Sequence, residues 1–264
     1  MNDRIAIEIA DGVADVRLVR ADKMNALDPA MFEALIAACD RLGKDTGLRA
    51  VVLSGEGRGF CAGLDMNRFS AMKQGGIGNI EERTHGLSNA FQYVVLGWRE
   101  LAVPVIAAIH GVAFGGGFQL ALGADIRYVA EDTRMSIMEI KWGLVPDMGG
   151  TILMRNLARE DVVRELTYTG RIFSAQEAQA YGFATRVCAD PRADALALAH
   201  EIAQKSPHAV RAAKRLLNRA VAEAPAACLL AESREQGKLI ASPNQVEAVM
   251  ANLEKRAPRF ADAV

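Results

Sequence analysis

IAAIHGVAFGGGFQLALGADI, residues 106–126, decides how the rest of the chain is read. An apolar run reaches Gly111, three glycines follow at Gly115, Gly116 and Gly117, and a short helical pattern runs from Phe118 to Leu122 before Gly123. The order is strand, backbone turn, helix. A glycine triplet permits positive φ and lets a ligand approach the main chain closely. A helix opening straight after it leaves its first N–H groups without intrahelical acceptors, aimed at whatever sits in the turn. Such a turn suits a developing negative charge, as in an oxyanion hole. Tight strand–helix packing would ask for the same glycines, and the triplet alone leaves both readings open. The pattern is neither G-x-G-x-x-G nor a P-loop, which argues against a nucleotide phosphate cradle.

On the N-terminal side, Ile5, Ile7 and Ile9 alternate, Asp11-Gly12 turns, and Ala14, Val16 and Leu18 alternate again, which predicts a β-hairpin. Asp28-Pro29 reads as an N-cap with proline in the first turn, and Phe32, Leu35, Ile36, Cys39 and Leu42 recur at helical spacing until Gly43. Residues 48–54 read as a buried strand. GRGFCAGLDMNRF (57–69) is a second glycine turn, leading into a polar, glycine-dotted stretch at 73–79 expected to be mobile. A helix is expected over 81–101. On the C-terminal side, 126–130 reads as a strand, 135–151 as a loop with a glycine pair, and a helix follows from Thr151. Beyond that the pattern is almost entirely helical. Ser174-x-x-Glu177 and Ser242-x-x-Gln245 read as capping boxes, and 193–205 and 208–221 as amphipathic helices. Val246, Val249, Met250 and Leu253 form an apolar stripe that needs a partner surface, so the tail is expected to dock or oligomerise.

The 264 residues are 51% apolar and 24% charged, with formal net charge −1. This is a soluble globular composition with no basic field to recruit nucleic acid or an anionic membrane. Cys39, Cys61, Cys188 and Cys228 are far apart and the four histidines show no ligand spacing, so neither a disulfide framework nor a zinc site is expected. No apolar run reaches bilayer length and the start does not read as a signal peptide. A reducing compartment, cytoplasm or organelle matrix, fits; the ending carries no Ser-Lys-Leu, so cytoplasm is expected.

FCAGLD (60–65) and FGGGFQ (114–119) each follow a strand and end in a backbone turn. If those strands are neighbours, one N–H from each could meet on a single carbonyl oxygen. With these two turns, DKMNAL (22–27), EIKWGLVPDMGGT (139–151) and LEKRAPRF (253–260), the chain resembles the crotonase, or enoyl-CoA hydratase/isomerase, family over nearly its whole length. The resemblance implies an α/β fold, a spiral of ββα turns over residues 1–195 with an acyl-CoA site. A helical region over 196–264 would then form a trimer or a dimer of trimers. It implies an oxyanion hole at the N–H groups of Leu64 and Gly116. Lys23, Met24, Ala26, Ala62, Asp65, Met66 and Lys255 would contact coenzyme A, which enters only as part of the substrate; no further cofactor and no metal are implied.

The carboxylates depart from the hydratase pattern. Hydratases of the family carry two glutamates that hold and ionise one water; here the first position is Gln119, whose amide moves no proton at neutral pH. The second, Glu139, is present, and Asp147 stands where hydratases usually have glycine and several isomerases have an acid. Glu139, Asp147 and Gln119 are therefore the candidate catalytic residues, with Asp147 alternatively capping the helix after Gly149 and Glu139 alternatively in a structural ion pair. Double-bond isomerisation is the expected reaction. Hydration, thioester hydrolysis and non-catalytic binding of CoA esters are the alternatives. His85 reads as a solvated side chain, and Met135, Met138 and Met148 as core or pocket wall.

Overall fold

The computed structural model describes residues 3–65 and 79–263. The expected mobile stretch at 73–79 and the contact expected at Met66 lie outside the described residues, save Asn79. Strands β1 (Ile5–Ala10) and β2 (Val13–Leu18) form the hairpin, with Asp11 and Gly12 both at positive φ in its turn. Helix α1 (Pro29–Gly43) begins at Asp28, whose side chain accepts the Met31 N–H at 2.8 Å. β3 (Ala50–Gly55), α2 (Ala90–Glu100), β4 (Val105–Ile109), β5 (Val112–Phe114), α3 (Gly116–Leu122), β6 (Ile126–Ala130) and β7 (Arg134–Ser136) follow. Then come α4 (Gly150–Met154), α5 (Glu160–Thr169), β8 (Phe173–Ser174), α6 (Ala175–Tyr181) and β9 (Arg186–Cys188). Four longer helices close the chain: α7 (Pro191–Ala203), α8 (Pro207–Ala220), α9 (Pro225–Leu239) and α10 (Pro243–Glu254).

A six-stranded sheet runs β1-β2-β3-β4-β6-β9, parallel beyond the initial hairpin, and a three-stranded sheet runs β5-β7-β8. The chain alternates between them. β4 leads to β5, β6 leads to β7, and β3 leads to Cys61, which bridges Ala113 at the edge of the small sheet. Each pass thus stacks on the one before it, and the result is the spiral of strands and helices that the sequence resemblance implied. Period-two alternation gives the large sheet two buried faces. Val16, Val51, Leu53 and Ala107 point into the main core, whereas Val13, Ala50, Val52 and Ile106 point to the other face. Ala195 and Ala199 of α7 cover that second face, their small side chains letting the helix sit close. The expected boundary at residue 195 therefore falls inside a helix that belongs to the sheet's own core.

Three local expectations are corrected. The helix expected over 81–101 begins only at Ala90, after a capping box in which Asn89 and Gln92 exchange side-chain and backbone hydrogen bonds. The loop expected after 135 contains β7 and a 3-10 turn, Glu139–Trp142. The box at Ser242 does not close: Gln245 accepts the Ala241 N–H at 3.1 Å, but Ser242 Oγ is buried with no partner among the described residues. The box at Ser174 and Glu177 closes in both directions.

α8 is fastened to the sheet by Lys214, 7% exposed, which donates to Asp125 Oδ2 at 2.7 Å and the Val103 carbonyl at 2.8 Å. The outer faces of the last helices carry exposed Leu217, Leu229, Ile240, Val249 and Leu253. Among the described residues no helix is long and apolar enough to cross a membrane, and no cluster of three or more acidic, histidine or cysteine residues could hold a metal.

Candidate active site

The two glycine turns lie against one another. Cys61 N–H donates to the Val112 carbonyl at 3.1 Å and Phe114 N–H to the Cys61 carbonyl at 3.1 Å. Only glycine fits at this contact. A Cβ on Gly63, at φ 89°, would stand 2.5 Å from the Phe114 carbonyl oxygen, and one on Gly117 would stand 2.3 Å from that of Cys61. The same construction puts the Gly63 Cβ position 3.6 Å from Gly116 N, so the Leu64 and Gly116 amides are near neighbours. Leu64 bridges Leu27 through the residues either side of it: Leu27 N–H donates to the Gly63 carbonyl and Asp65 N–H to the Leu27 carbonyl. Strand alternation therefore turns the Leu64 N–H away from that bridge. Gly116 opens α3, where an N–H has no acceptor four residues back. Neither N–H is given to an acceptor among the described residues.

Both amides line a cavity of about 720 Å³. Its wall brings together Lys23, Met24, Ala26, Ala62, Asp65, Gln119, Glu139 and Asp147 from the sequence-derived set. Lys255 is not on this wall; it is exposed, in the left-handed conformation that ends α10. Asp65 is 8% exposed and paired with Arg20, whose Nη1 lies 2.6 Å from its Oδ2 and also donates to the Ala26 carbonyl. Its side chain thus ties the 22–27 segment to the 60–65 turn. Asn25 does the same from the other side, donating to the Glu56 and Gly59 carbonyls. Trp142, Leu144 and Val145, the apolar residues of the loop that carries Glu139 and Asp147, line the cavity too, as do Arg58 and Phe91, which sequence reading passed over. Arg58 had a visible signal, a basic side chain inside the 57–69 glycine turn; Phe91 sits in a segment with no chemistry-bearing pattern.

Gln119, 1% exposed, is held at both ends of its amide. Its Oε1 accepts the Met148 N–H at 2.9 Å and the Gly150 N–H at 3.0 Å. Backbone N–H groups can only donate, so the NH₂ end must face the other way. There it donates to Glu139 Oε1 at 2.6 Å. Glu139 is 9% exposed, and its Oε2 has no partner among the described residues. A Cβ on Gly115 would stand 3.4 Å from Oε1 and 4.0 Å from Oε2, which places the carboxylate beside the glycine triplet. Burial pushes the Glu139 carboxyl above its usual pKa and the nearby charge of Asp147 adds to the rise; hydrogen bonds from its own backbone and from Gln119 oppose it. This is one buried carboxylate with one free oxygen, not an ion pair.

Asp147 is exposed on the cavity wall, and crowding by surrounding atoms pushes its carboxyl upward too, with less weight because solvent reaches it. It does not cap the following helix: Gly149 at φ 86° is the N-cap, without a side-chain bond. His85 stacks on Tyr93 at 4.4 Å. Met148 lines the cavity beneath Gly116, Met138 lines it too, and Met135 belongs to the core.

The enoyl-CoA hydratase/isomerase family matches residues 8–263. Methylglutaconyl-CoA hydratase of Mus musculus is 30% identical over 256 residues, 94% of this chain and 79% of that protein. An enoyl-CoA hydratase structure from Bacillus anthracis superposes with TM-score 0.87 at 30% identity, covering 97% of this chain and 98% of that one. One from Polaromonas sp. JS666 gives 0.88 at 27% identity, covering 97% and 99%.

Proposed function

The chain belongs to the enoyl-CoA hydratase/isomerase family, and from that premise we propose that it moves the double bond of an enoyl-CoA thioester rather than adding water to it. The observation that carries this reading is the amide of Gln119 where a second carboxylate would be needed to ionise water. The thioester carbonyl takes hydrogen bonds from the Leu64 and Gly116 N–H groups. Glu139 Oε2 removes a proton from C2 of a 3-enoyl-CoA, and the electron pair left behind delocalises onto the thioester oxygen as an enolate, which the two N–H groups stabilise. The enolate collapses to a C2=C3 double bond, the C3=C4 electrons take the proton back from Oε2 at C4, and the carboxylate is regenerated. The first transfer needs a basic carboxylate, which the burial of Glu139 favours; the second is made by the same group in its protonated form. Burial is the main cause of the raised Glu139 pKa, and the nearby charge of Asp147 adds a smaller part.

Hydration is the second reading, favoured by the names of the relatives. It requires one group to take a proton from water and another to deliver one to carbon, and Gln119 can do neither. Lys23 and Arg58 at the cavity wall suit the phosphates of coenzyme A. The exposed apolar faces of α8 to α10 support a homo-oligomer, a trimer or a dimer of trimers, and the four free cysteines suit a reducing cytoplasm. Turnover of a panel of 2-enoyl-, 3-enoyl- and 3,5-dienoyl-CoA esters, alongside calorimetric binding of a saturated acyl-CoA, tests the reading. Isomerisation should outpace hydration. Hydration outpacing isomerisation would overturn the choice of reaction, and binding without any turnover would leave a CoA-ester-binding protein.

A further inference from the structure

Asp147 lines two cavities. Beyond the one described, a second of about 420 Å³ is walled by α2, by the segment Pro146–Ile152 and by Asn218 of α8. The two differ in character. Around the Glu139 site the wall is mostly apolar, with Trp142, Leu144 and Val145 exposed on it. The second mixes apolar side chains, Leu87, Leu96 and Ile152, with a larger share of polar ones: Arg83, Gln92, Arg99, Glu100 and Thr151 line it. Arg83 is already committed, donating to Gln92 Oε1 at 3.0 Å and to the carbonyls of Ile80 and Glu81. The half-buried Arg99 guanidinium has no hydrogen-bond or ion-pair partner among the described residues; only its backbone carbonyl is used, by Asn218. A planar guanidinium at the end of a cavity is suited to bidentate recognition of a carboxylate.

We propose that this second cavity receives the far end of the acyl group and that Arg99 binds a terminal carboxylate there, so that the substrates are CoA thioesters of unsaturated dicarboxylic acids. The inference rests on the acyl-CoA reading of the first cavity and adds its substrate class. Asp147 is common to both walls, so an uncommitted cation lies in the cavity next to the apolar one, an arrangement that matches a hydrocarbon chain with an anionic end. Two acids, Glu100 and Asp147, line the same space, and desolvation pushes both carboxyls above their usual pKa.

The experiment measures kcat/KM for paired 3-enoyl-CoA substrates of equal chain length, one ending in methyl and one in carboxylate, over a series of lengths. The wild type, Arg99→Gln and Arg99→Lys are compared. At the best length the wild type should favour the carboxylate by roughly 10-fold or more. Arg99→Gln should lower kcat/KM for that substrate by roughly 10- to 100-fold, with Arg99→Lys between, and leave the methyl-ended substrate unchanged. A wild type that prefers the methyl end at every length, or an Arg99→Gln variant that loses both substrates alike, would overturn the proposal. If no substrate turns over, the isomerase reading fails on its own, and calorimetry with saturated thioesters decides the subsite. Tighter binding of the carboxylate-ended ester, lost in Arg99→Gln, supports it; equal binding overturns it.

Discussion

Replacing Gln119 with glutamate puts a second carboxylate against the first. The Met148 and Gly150 N–H groups, at 2.9 and 3.0 Å, would still hold one of its oxygens. The other would replace a donor NH₂ group 2.6 Å from Glu139 Oε1. At that separation two unit charges repel by about 6 kcal/mol with an effective dielectric of about 20. Two ionised carboxylates therefore do not persist, and the pair keeps one shared proton at neutral pH, titrating as a unit. One member is then an acid and the other a base, which is what adding water to a double bond requires. A positioned acid or base contributes about 10²–10⁴-fold, so Gln119→Glu should raise hydration of a 2-enoyl-CoA by about that factor over the wild type. The assay is loss of the conjugated enoyl-thioester absorbance, followed across pH. A folded variant that still binds acyl-CoA and hydrates no faster than the wild type would refute the carboxylate reasoning.

Glu139→Gln should reduce isomerisation by about 10²–10⁴-fold, read in steady-state turnover with binding of a saturated acyl-CoA retained. The same change tests linkage. The folded state holds the Glu139 proton more tightly than the unfolded chain does, so wild-type stability should fall as pH rises from the ordinary glutamate pKa through the raised one, and the variant should lose this slope in thermal melts. Catalytic turnover should instead rise over that interval as the base ionises. Gly116→Pro removes a proposed oxyanion donor and should cost about 10²–10³-fold in kcat; its ring carbon would press on the flexible end of Met148, whose Sδ lies 2.9 Å from the Cβ position, so circular dichroism must show the fold kept. Lys214→Met leaves Asp125 without its buried partner and should cost about 3 kcal/mol in denaturant unfolding, loosening α8 from the sheet.

Where order along the chain makes local structure, the sequence was readable. The Asp11-Gly12 hairpin and the Asp28-Pro29 start of α1 are set by residues a few positions apart, and both form as read. Helix α2 shows the limit. Its real start, Asn89 with Gln92, was written in the chain, but the mostly polar residues 81–88 upstream were read as part of the same helix. At Ser242 the opposite happened: the letters of a capping box are present, yet only Gln245 reaches a backbone donor. In the site, the residue type alone showed that the Gln119 amide transfers no proton at neutral pH. It could not tell that the amide is pinned by Met148 and Gly150, because those partners come from a turn about thirty positions away that only the spiral brings near. The second cavity was invisible for the same reason, being assembled from α2, the 146–152 segment and α8.

The central claim is that one carboxylate, oriented by an amide, shuttles a proton along carbon and does not activate water. Proton NMR of a 3-enoyl-CoA incubated with the wild-type protein tests it most directly, because the two reactions leave different products in one tube. The expected result is accumulation of the 2-enoyl-CoA, with hydration lagging by about 10²-fold or more. Rapid onward conversion to the 3-hydroxyacyl-CoA, or ready hydration of a 2-enoyl-CoA with no isomerisation at all, would contradict it.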